Sequence, residues 1–258
     1  MKLPIALLTD FGNKDWYVPV MKSVIYSINP NVPIIDISHE VFSHGVDDAA
    51  FVLWNAHRYF PQKTVFCVVI DPGVGTLRKI IAVETEKHIL VAPDNGVLDI
   101  VLSESKIIQM TEVKNVKFFL DEVSATFHGR DVFAPVAAHI SKGEELRSFG
   151  DNISIPEYQS PFYRINAAEN GHYLGKIIYI DKFGNLISNF MIKGKANGRV
   201  ILNDIIIPQI SNTFSDVEIG QVLAYVGSSG FLEIAIRNGS AKQILGLSYL
   251  DGIELTIT

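Results

Sequence analysis

Short apolar runs alternate with helix-like segments over the N-terminal part of the chain. The apolar runs lie at residues 5–12, 32–38 and 64–75, and each contains or ends in an acidic residue. The segments between them, 16–28 and 47–60, carry apolar side chains at helical spacing. Strands that are apolar on both faces and alternate with helices are typical of a parallel sheet covered on both sides. The pattern therefore predicts an α/β domain with a mostly parallel sheet.

Two further elements complete this predicted domain. Residues 79–96 form two apolar runs separated by Glu86 and Lys87, a pattern that indicates a β-hairpin. A last helix is predicted over residues 130–141, and Gly143 is expected to stop it.

The pattern changes in the C-terminal part of the chain. Residues 156–170 are polar and irregular, and we interpret them as a linker. From residue 171 to 258, period-2 and short apolar runs alternate with turn residues, and no helical spacing remains. This favours a smaller all-β, barrel-like domain. The predicted organisation is an α/β domain at 1–155, a linker at 156–170 and a β-rich domain at 171–258.

Composition narrows the class of protein. The chain has 258 residues, of which 48% are hydrophobic and 19% charged, enough to form a sizeable core and to exclude global disorder. The formal net charge of −6 argues against a nucleic-acid partner, because nucleic-acid binders carry basic faces. No run reaches the roughly 18 apolar residues of a membrane span, and residues 1–12 do not resemble a signal peptide. We expect a cytoplasmic protein with no membrane partner.

The single cysteine, Cys67, excludes a disulfide framework and a cysteine-based metal site. It lies inside an apolar run, so we expect a small buried side chain and not a reactive thiol.

Acidic residues follow three of the predicted strands, at Asp10, Asp36 and Asp71. In an open α/β sheet, ligands bind beyond the carboxyl ends of the strands. Each aspartate alone could equally cap the following turn or helix, since Asp is common in both positions. Three acids at the same edge of one sheet favour a binding site.

Two segments near this edge carry further candidate chemistry. Residues 71–78, DPGVGTLR, lack the spacing of a phosphate-binding P-loop, and we interpret their glycines as a tight loop. A loop that folds back would bring Arg78 against Asp71. His128 comes just before the predicted helix at 130–141, where backbone N–H groups are unpaired, and is a candidate for polar chemistry.

In the C-terminal part, the turn IDKFGN combines an aromatic ring, Phe183, with an amide, Asn185. A ring can stack on a purine and an amide can hydrogen-bond its edge, although both residues are also ordinary in cores and turns. A metal site is a weaker alternative. His39, His44, His57 and His128 could be ligands, but their spacing matches no metal motif.

Five motifs occur in this chain in the order LTDFG, DPGVGTLR, APDNG, TFHGRD and IDKFGN. With them the chain resembles the S-adenosyl-L-methionine (SAM) hydroxide adenosyltransferases, relatives of the fluorinases and chlorinases. The resemblance spans essentially the whole chain. It implies a homotrimer in which SAM binds between the α/β domain of one subunit and the β-rich domain of its neighbour. It also implies a reaction in which water replaces methionine at the ribose C5′.

The resemblance also implies roles for particular residues. The catalytic trio of the family falls on Asp71, Arg78 and His128. Asp10 matches the acid that holds the ribose hydroxyls, and Asp15 an acid near the methionine ammonium. The remaining substrate-binding positions are Asp181 and Ser228 for the amino-acid end, and Phe183, Asn185, Phe214 and Asn238 for adenine.

The expected function is therefore SAM hydrolysis to adenosine and L-methionine, with no cofactor and no metal. SAM already carries a good leaving group, so the enzyme has only to supply an aligned nucleophile. Asp71 would repel a halide and accept a proton from water, which favours hydrolysis over halogenation. Whether Asp71 or His128 takes the proton is open at this point. The alternatives are a SAM- or adenosine-binding sensor, a halide-dependent SAM transferase and a metal phosphoesterase.

Overall fold

The computed structural model describes residues 3–158, 166–167, 172–192, 198–202 and 205–257. Contacts within the chain divide it into two units, Met1–Ser160 and Pro161–Thr258. Each unit has its own cluster of buried hydrophobic residues. Most of the predicted linker lies outside the described residues, which omit 159–165 and 168–170.

The first unit is an α/β domain. Its elements are β1 (Ile5–Thr9), α1 (Tyr17–Ile28), β2 (Ile34–Ser38), α2 (Val46–His57), β3 (Val65–Val69), β4 (Ile80–Thr85), β5 (Ile89–Pro93), α3 (Asp99–Ser103), β6 (Ile107–Glu112) and α4 (Ala134–Ser141). The sheet order is β2-β1-β3-β5-β4-β6. The first four strands in that order pair in parallel, whereas β4 is antiparallel to both β5 and β6. The mostly parallel sheet and the hairpin between β4 and β5 are confirmed.

Burial explains why the central strands could be predicted. Every residue of β1, β3 and β5 is buried, as expected for strands covered on both faces. β2 lies at the sheet edge and is only partly buried. Cys67 lies in β3 with no exposed surface, and its burial raises the pKa of the thiol to about 12.

The helix predicted over residues 130–141 is present, but it begins with a turn of π-helix at Gly129–Phe133 before α4. π-Helical turns are rare in proteins, and those that do occur are often found at functional sites. This one follows His128 directly, so the irregular turn lies where polar chemistry is expected.

The second unit is built mainly from strands. They are β7 (Asn166–Ala167), β8 (His172–Ile180), β9 (Leu186–Met191), β10 (Gly198–Leu202), β11 (Ile205–Ile207), β12 (Ile210–Ser211), β13 (Val222–Val226), β14 (Phe231–Ile236) and β15 (Gly252–Ile257). The order along the sheet is β11-β10-β15-β8-β9-β14-β13-β12, and β7 pairs with β8. β10 and β11 also approach β12 and β13, so the sheet curls towards a barrel. The predicted barrel-like domain is confirmed.

The expectation that this unit contains no helix is wrong. A short helix, α5, spans Ala241–Leu245, where the Ser240 side chain accepts a hydrogen bond from the backbone N–H of Gln243. Gly246 ends the helix in the left-handed conformation. Five residues are too few to display a helical period in the sequence, so only these capping residues could have indicated it. Across the described ranges, no helix has the length and apolar character required to span a membrane.

Candidate active site

A pocket of about 340 Å³ opens beside the carboxyl ends of β1 and β3 in the first unit. Its wall includes Asp10, which follows β1, and Asp71, which follows β3. His128, at the start of the π-helical turn, lines the same pocket. The structure thus brings three of the candidate residues to one cavity, at the edge of the sheet where ligands bind in this kind of fold.

Arg78 joins Asp71 to His128. Its Nε atom donates to Asp71 Oδ1 at 2.9 Å and to Oδ2 at 3.0 Å, and its Nη2 also donates to Oδ2. The same Nη2 lies 2.8 Å from His128 Nδ1. The Arg78 and Asp71 side chains are only 13% and 6% exposed, so this is a largely buried ion pair. Charged groups held in such a fork have little freedom to reorient.

The contact with Arg78 assigns the tautomer of His128. A guanidinium group only donates hydrogen bonds, so His128 Nδ1 must be the acceptor and the neutral ring carries its proton on Nε2. Burial lowers the pKa of His128 below its usual value of 6.5, and the nearby charge of Arg78 lowers it further, although Asp71 and Asp131 act in the opposite direction. Near neutral pH this ring therefore offers an N–H donor and has no free lone pair.

Unlike the His128 ring, the Asp71 carboxylate can still accept a further hydrogen bond. A carboxylate has about four acceptor positions. Arg78 makes one contact to Oδ1 and two to Oδ2 of Asp71, which leaves Oδ1 able to accept another hydrogen bond. Of the two candidate bases, Asp71 is the one whose geometry permits it to take a proton from water.

The pH dependence of activity should reflect this arrangement. We expect kcat/KM for SAM, the substrate that the family resemblance implies, to be retained down to pH 6.5 and to fall below it, because a proton on His128 Nδ1 would face the Arg78 guanidinium. In His128→Asn, the acid limb should move to lower pH. A pH profile of both enzymes checks this, together with an NMR titration of the ring nitrogens. A wild-type limb above pH 6.5 would contradict the assigned tautomer.

A tight loop returns Arg78 to Asp71. The backbone N–H of Val74 donates to the Asp71 carbonyl at 3.1 Å, and Thr76 Oγ1 donates to the carbonyl of Gly73 at 2.7 Å. Gly75 has a φ of +77°, and a Cβ atom there would overlap the backbone carbonyl oxygen of Ala125. Only glycine allows the loop to pass this close to the segment that leads to His128.

Gly75→Ala should therefore separate the loop from that segment. We expect a loss of turnover of about 100-fold, since small displacements of catalytic groups have effects of this size. Gly143→Ala is the matched control, because Gly143 also has a positive φ of +102° but would place no Cβ contact within 4 Å. The control should lose only about 1 kcal/mol of unfolding free energy and keep its turnover. Equal turnover in the two variants would contradict this account of the loop.

Asp10 is held by a second network. Its Oδ2 accepts a hydrogen bond from the backbone N–H of His44 at 2.8 Å. Behind it, His39 Nδ1 lies 2.8 Å from Thr9 Oγ1, and the His39 carbonyl accepts from the N–H of Gly12 at 2.7 Å. His39 is buried, so the turn that presents Asp10 is fixed from inside the domain.

The third of these acids, Asp36, lies inside β2 and not at its end, and it does not line the pocket. Asp36 forms an ion pair with Lys22, and one of its oxygens lies 3.1 Å from His39 Nε2. Its side chain is 41% exposed. The expectation that Asp36 faces the ligand together with Asp10 and Asp71 is wrong, because its partners hold it beside α1 and His39.

A second cavity, of about 490 Å³, lies in the second unit. Its wall contains the four residues expected to hold adenine, which are Phe183, Asn185, Phe214 and Asn238. Asp181 organises this turn. Its Oδ1 accepts from the backbone N–H groups of Phe183 at 2.9 Å and Asn185 at 2.8 Å, and its Oδ2 accepts from Asn185 Nδ2 at 2.8 Å.

Comparison with known proteins bears on both cavities. The family model for the SAM hydroxide adenosyltransferase N-terminal domain matches residues 5–150, and the model for the C-terminal domain of the same family matches residues 175–254. The chain belongs to this family. The first match contains the whole Asp71–Arg78–His128 arrangement, and the second contains the cavity around Phe183.

Individual relatives of this family member cover nearly its whole length. A protein of Methanocaldococcus jannaschii named (R)-S-adenosyl-L-methionine hydrolase is 34% identical, over 97% of this chain and 95% of its own. A fluorinase of Actinoplanes sp. is 28% identical, over 98% and 97%. A solved structure of an uncharacterized conserved protein from Thermotoga maritima has a TM-score of 0.88 at 40% identity, covering 98% of this chain and 99% of that one.

Four residues that the family resemblance implicates line neither cavity: Arg78 and Asp181, whose contacts are described above, and Asp15 and Ser228. Asp15 is exposed in the segment just before α1, and Ser228 is exposed in the turn between β13 and β14. Their proposed contacts with the methionine moiety stay a prediction. Within the described ranges, no group of three or more His, Cys, Asp or Glu side chains is arranged to hold a metal ion.

The sequence analysis missed a group of aromatic residues at the first pocket. Phe11, Tyr17 and Phe127 line it beside Asp10 and His128. The available signal was Phe11 inside LTDFG, Phe127 inside TFHGRD and Tyr17 five residues after LTDFG. The sequence analysis interpreted both motifs only through their polar residues.

Proposed function

We propose that this member of the SAM hydroxide adenosyltransferase family is a SAM hydrolase that converts SAM and water to adenosine and L-methionine. The observation that carries the proposal is the continuous contact from Asp71 through Arg78 to His128, with Asp71 and His128 lining the pocket that also holds Asp10. Four relatives at 31–34% identity named (R)-S-adenosyl-L-methionine hydrolase support it.

The chemistry requires a positioned water and little else. The water oxygen forms a bond to C5′ while the C5′–S bond breaks. The electron pair of the broken bond stays on sulfur, which becomes the neutral thioether of methionine. Asp71 takes the water proton, and the Nε2–H of His128 donates to the water oxygen and orients it. Holding the reactants in line can contribute about 7–11 kcal/mol to lowering the barrier. The sulfonium leaves without a proton or a metal ion to assist it.

Recognition of the nucleoside is divided between the two cavities. The carboxylate of Asp10 accepts hydrogen bonds from the 2′- and 3′-hydroxyls of the ribose. Phe183 and Phe214 stack on adenine, and the amides of Asn185 and Asn238 bond its edge. As the family resemblance implies, we propose a homotrimer in which the adenine-binding residues come from the neighbouring subunit. The proposal also places the reaction in the cytoplasm.

A halide-dependent SAM transferase is the second candidate function, because a fluorinase is among the relatives. The Asp71 carboxylate in the first pocket disfavours it. An anion beside the attacking position repels a halide but serves a water molecule as proton acceptor.

The test is direct. Untreated and EDTA-treated protein are each incubated with the sulfonium epimers of SAM in chloride buffer, and the products are identified by mass spectrometry. We expect adenosine and methionine in large excess over enzyme. 5′-Chloro-5′-deoxyadenosine would overturn hydrolysis in favour of halogenation, and intact SAM would favour a sensor. Loss of activity on EDTA treatment would overturn the metal-free mechanism.

A further inference from the structure

The aromatic wall, formed by Phe11, Tyr17 and Phe127, lies in the same pocket as Asp10, Asp71 and His128. Its rings contact one another. The Phe127 ring centroid is 5.8 Å from that of Phe11 and 5.1 Å from that of Tyr17. The proposed mechanism gives these side chains no role. They place aromatic rings in the same pocket as the carboxylates of Asp10 and Asp71.

Within the aromatic wall, Tyr17 is the ring placed to meet a ligand. Phe127 is only 7% exposed, and the guanidinium of Arg130 lies 5.2 Å from its ring centroid. Tyr17 is 37% exposed and stacks on Trp16 with centroids 4.7 Å apart and an interplanar angle of 28°. Its ring is therefore held in place by Trp16 and Phe127 while part of its surface stays open to the pocket.

We propose that Tyr17 is a specificity-determining residue that recognises the positive charge on the sulfur of the substrate. The inference rests on the proposed function. In SAM, sulfur is one bond from C5′, so a substrate whose C5′ faces Asp71 and His128 carries its sulfonium inside this pocket. The π face of an aromatic ring attracts a cation, and the attraction is stronger where water is displaced.

The same contact distinguishes substrate from product. When the C5′–S bond breaks, the sulfur loses its charge and the attraction to the Tyr17 ring ends. The neutral thioether sulfur of methionine then gains no cation–π attraction from Tyr17. Tyr17 thus favours binding of the charged substrate without favouring retention of the product, as selectivity between ligands of similar shape requires.

Turnover and inhibition of the same enzyme test this proposal. KM is measured for SAM, and Ki for S-adenosyl-L-homocysteine, whose sulfur is neutral. In Tyr17→Leu we expect KM for SAM to rise about 5- to 10-fold and Ki for S-adenosyl-L-homocysteine to change less than about 2-fold. Tyr17→Phe should keep the wild-type ratio of the two constants. Tyr26→Leu is the matched control, because Tyr26 is an exposed tyrosine of the same helix, α1, that does not line the pocket, and it should leave both constants unchanged.

Equal weakening of both ligands in Tyr17→Leu, or no weakening of either, would overturn the role of Tyr17. If wild-type protein forms no adenosine from SAM, the proposed function has failed instead. Should Tyr17→Leu fold poorly, position 17 can be filled with phenylalanines of increasing fluorination, which keep the ring shape and weaken its negative face. We then expect KM for SAM to rise with each fluorine, and a constant KM would overturn the proposal.

Discussion

Asp71→Asn is expected to lower kcat by about 10²- to 10⁴-fold, the range associated with loss of a general base. The amide has nearly the same shape as the carboxylate but cannot take a proton from water. SAM should still bind, because Asp10 and the aromatic wall are unchanged. Single-turnover measurement of adenosine formation, together with equilibrium binding of S-adenosyl-L-homocysteine, separates the chemical step from binding.

Asp36→Asn is the matched control for this variant. Asp36 also belongs to the same sheet, inside β2, but its side chain is 41% exposed and lies outside the pocket. Its replacement should leave kcat within about 2-fold of wild type. Full turnover in Asp71→Asn would show that Asp71 is not the base and that another group accepts the proton.

Arg78→Met should produce the largest loss of stability. It leaves the Asp71 carboxylate, which is 6% exposed, without its charged partner. Removing one member of a buried ion pair typically costs about 3–5 kcal/mol of unfolding free energy. Urea unfolding measures the loss, and turnover should fall as well, because Arg78 orients both Asp71 and His128.

A double-mutant cycle tests whether this loss of stability comes from the unpaired buried charge. Together, the Asp71→Asn and Arg78→Met changes should lower the free energy of unfolding by less than the sum of the two separate losses, because the double variant leaves no buried charge unpaired. Lys22→Met provides the comparison with an exposed pair, because Lys22 and Asp36 are 30% and 41% exposed. That change should cost less than about 1 kcal/mol. Additive effects of the two substitutions at 71 and 78 would show that the pair contributes little coupling.

The parts of the fold that were predictable are those in which one physical pattern dominates. β1 and β3 are buried at every position, and a run of apolar residues followed by an acid is enough to locate them. Asp10 and Asp71 could be placed at the ligand edge for the same reason, because the carboxyl ends of parallel strands meet there.

Other features depend on contacts that a sequence pattern does not contain. Asp36 comes directly after an apolar run in the sequence, just as Asp10 does, but it lies inside β2 and its pairing with Lys22 holds it outside the pocket. The roles of Asp71 and His128 could not be separated until the 2.8 Å contact of Arg78 with Nδ1 fixed the tautomer. α5 is too short to show a period, and it depends on Ser240 and Gly246 at its two ends.

The buried state of Cys67 makes the enzyme suitable for site-specific labelling. Cys67 is the single cysteine of the sequence, has no exposed surface and has a thiol pKa raised to about 12, so thiol-directed dyes should not reach it. Leu77, directly before Arg78, is fully exposed. A Leu77→Cys variant would therefore carry one reactive thiol on the loop that carries Arg78. A fluorophore attached there would report, in real time, how that loop responds as substrate arrives and products leave.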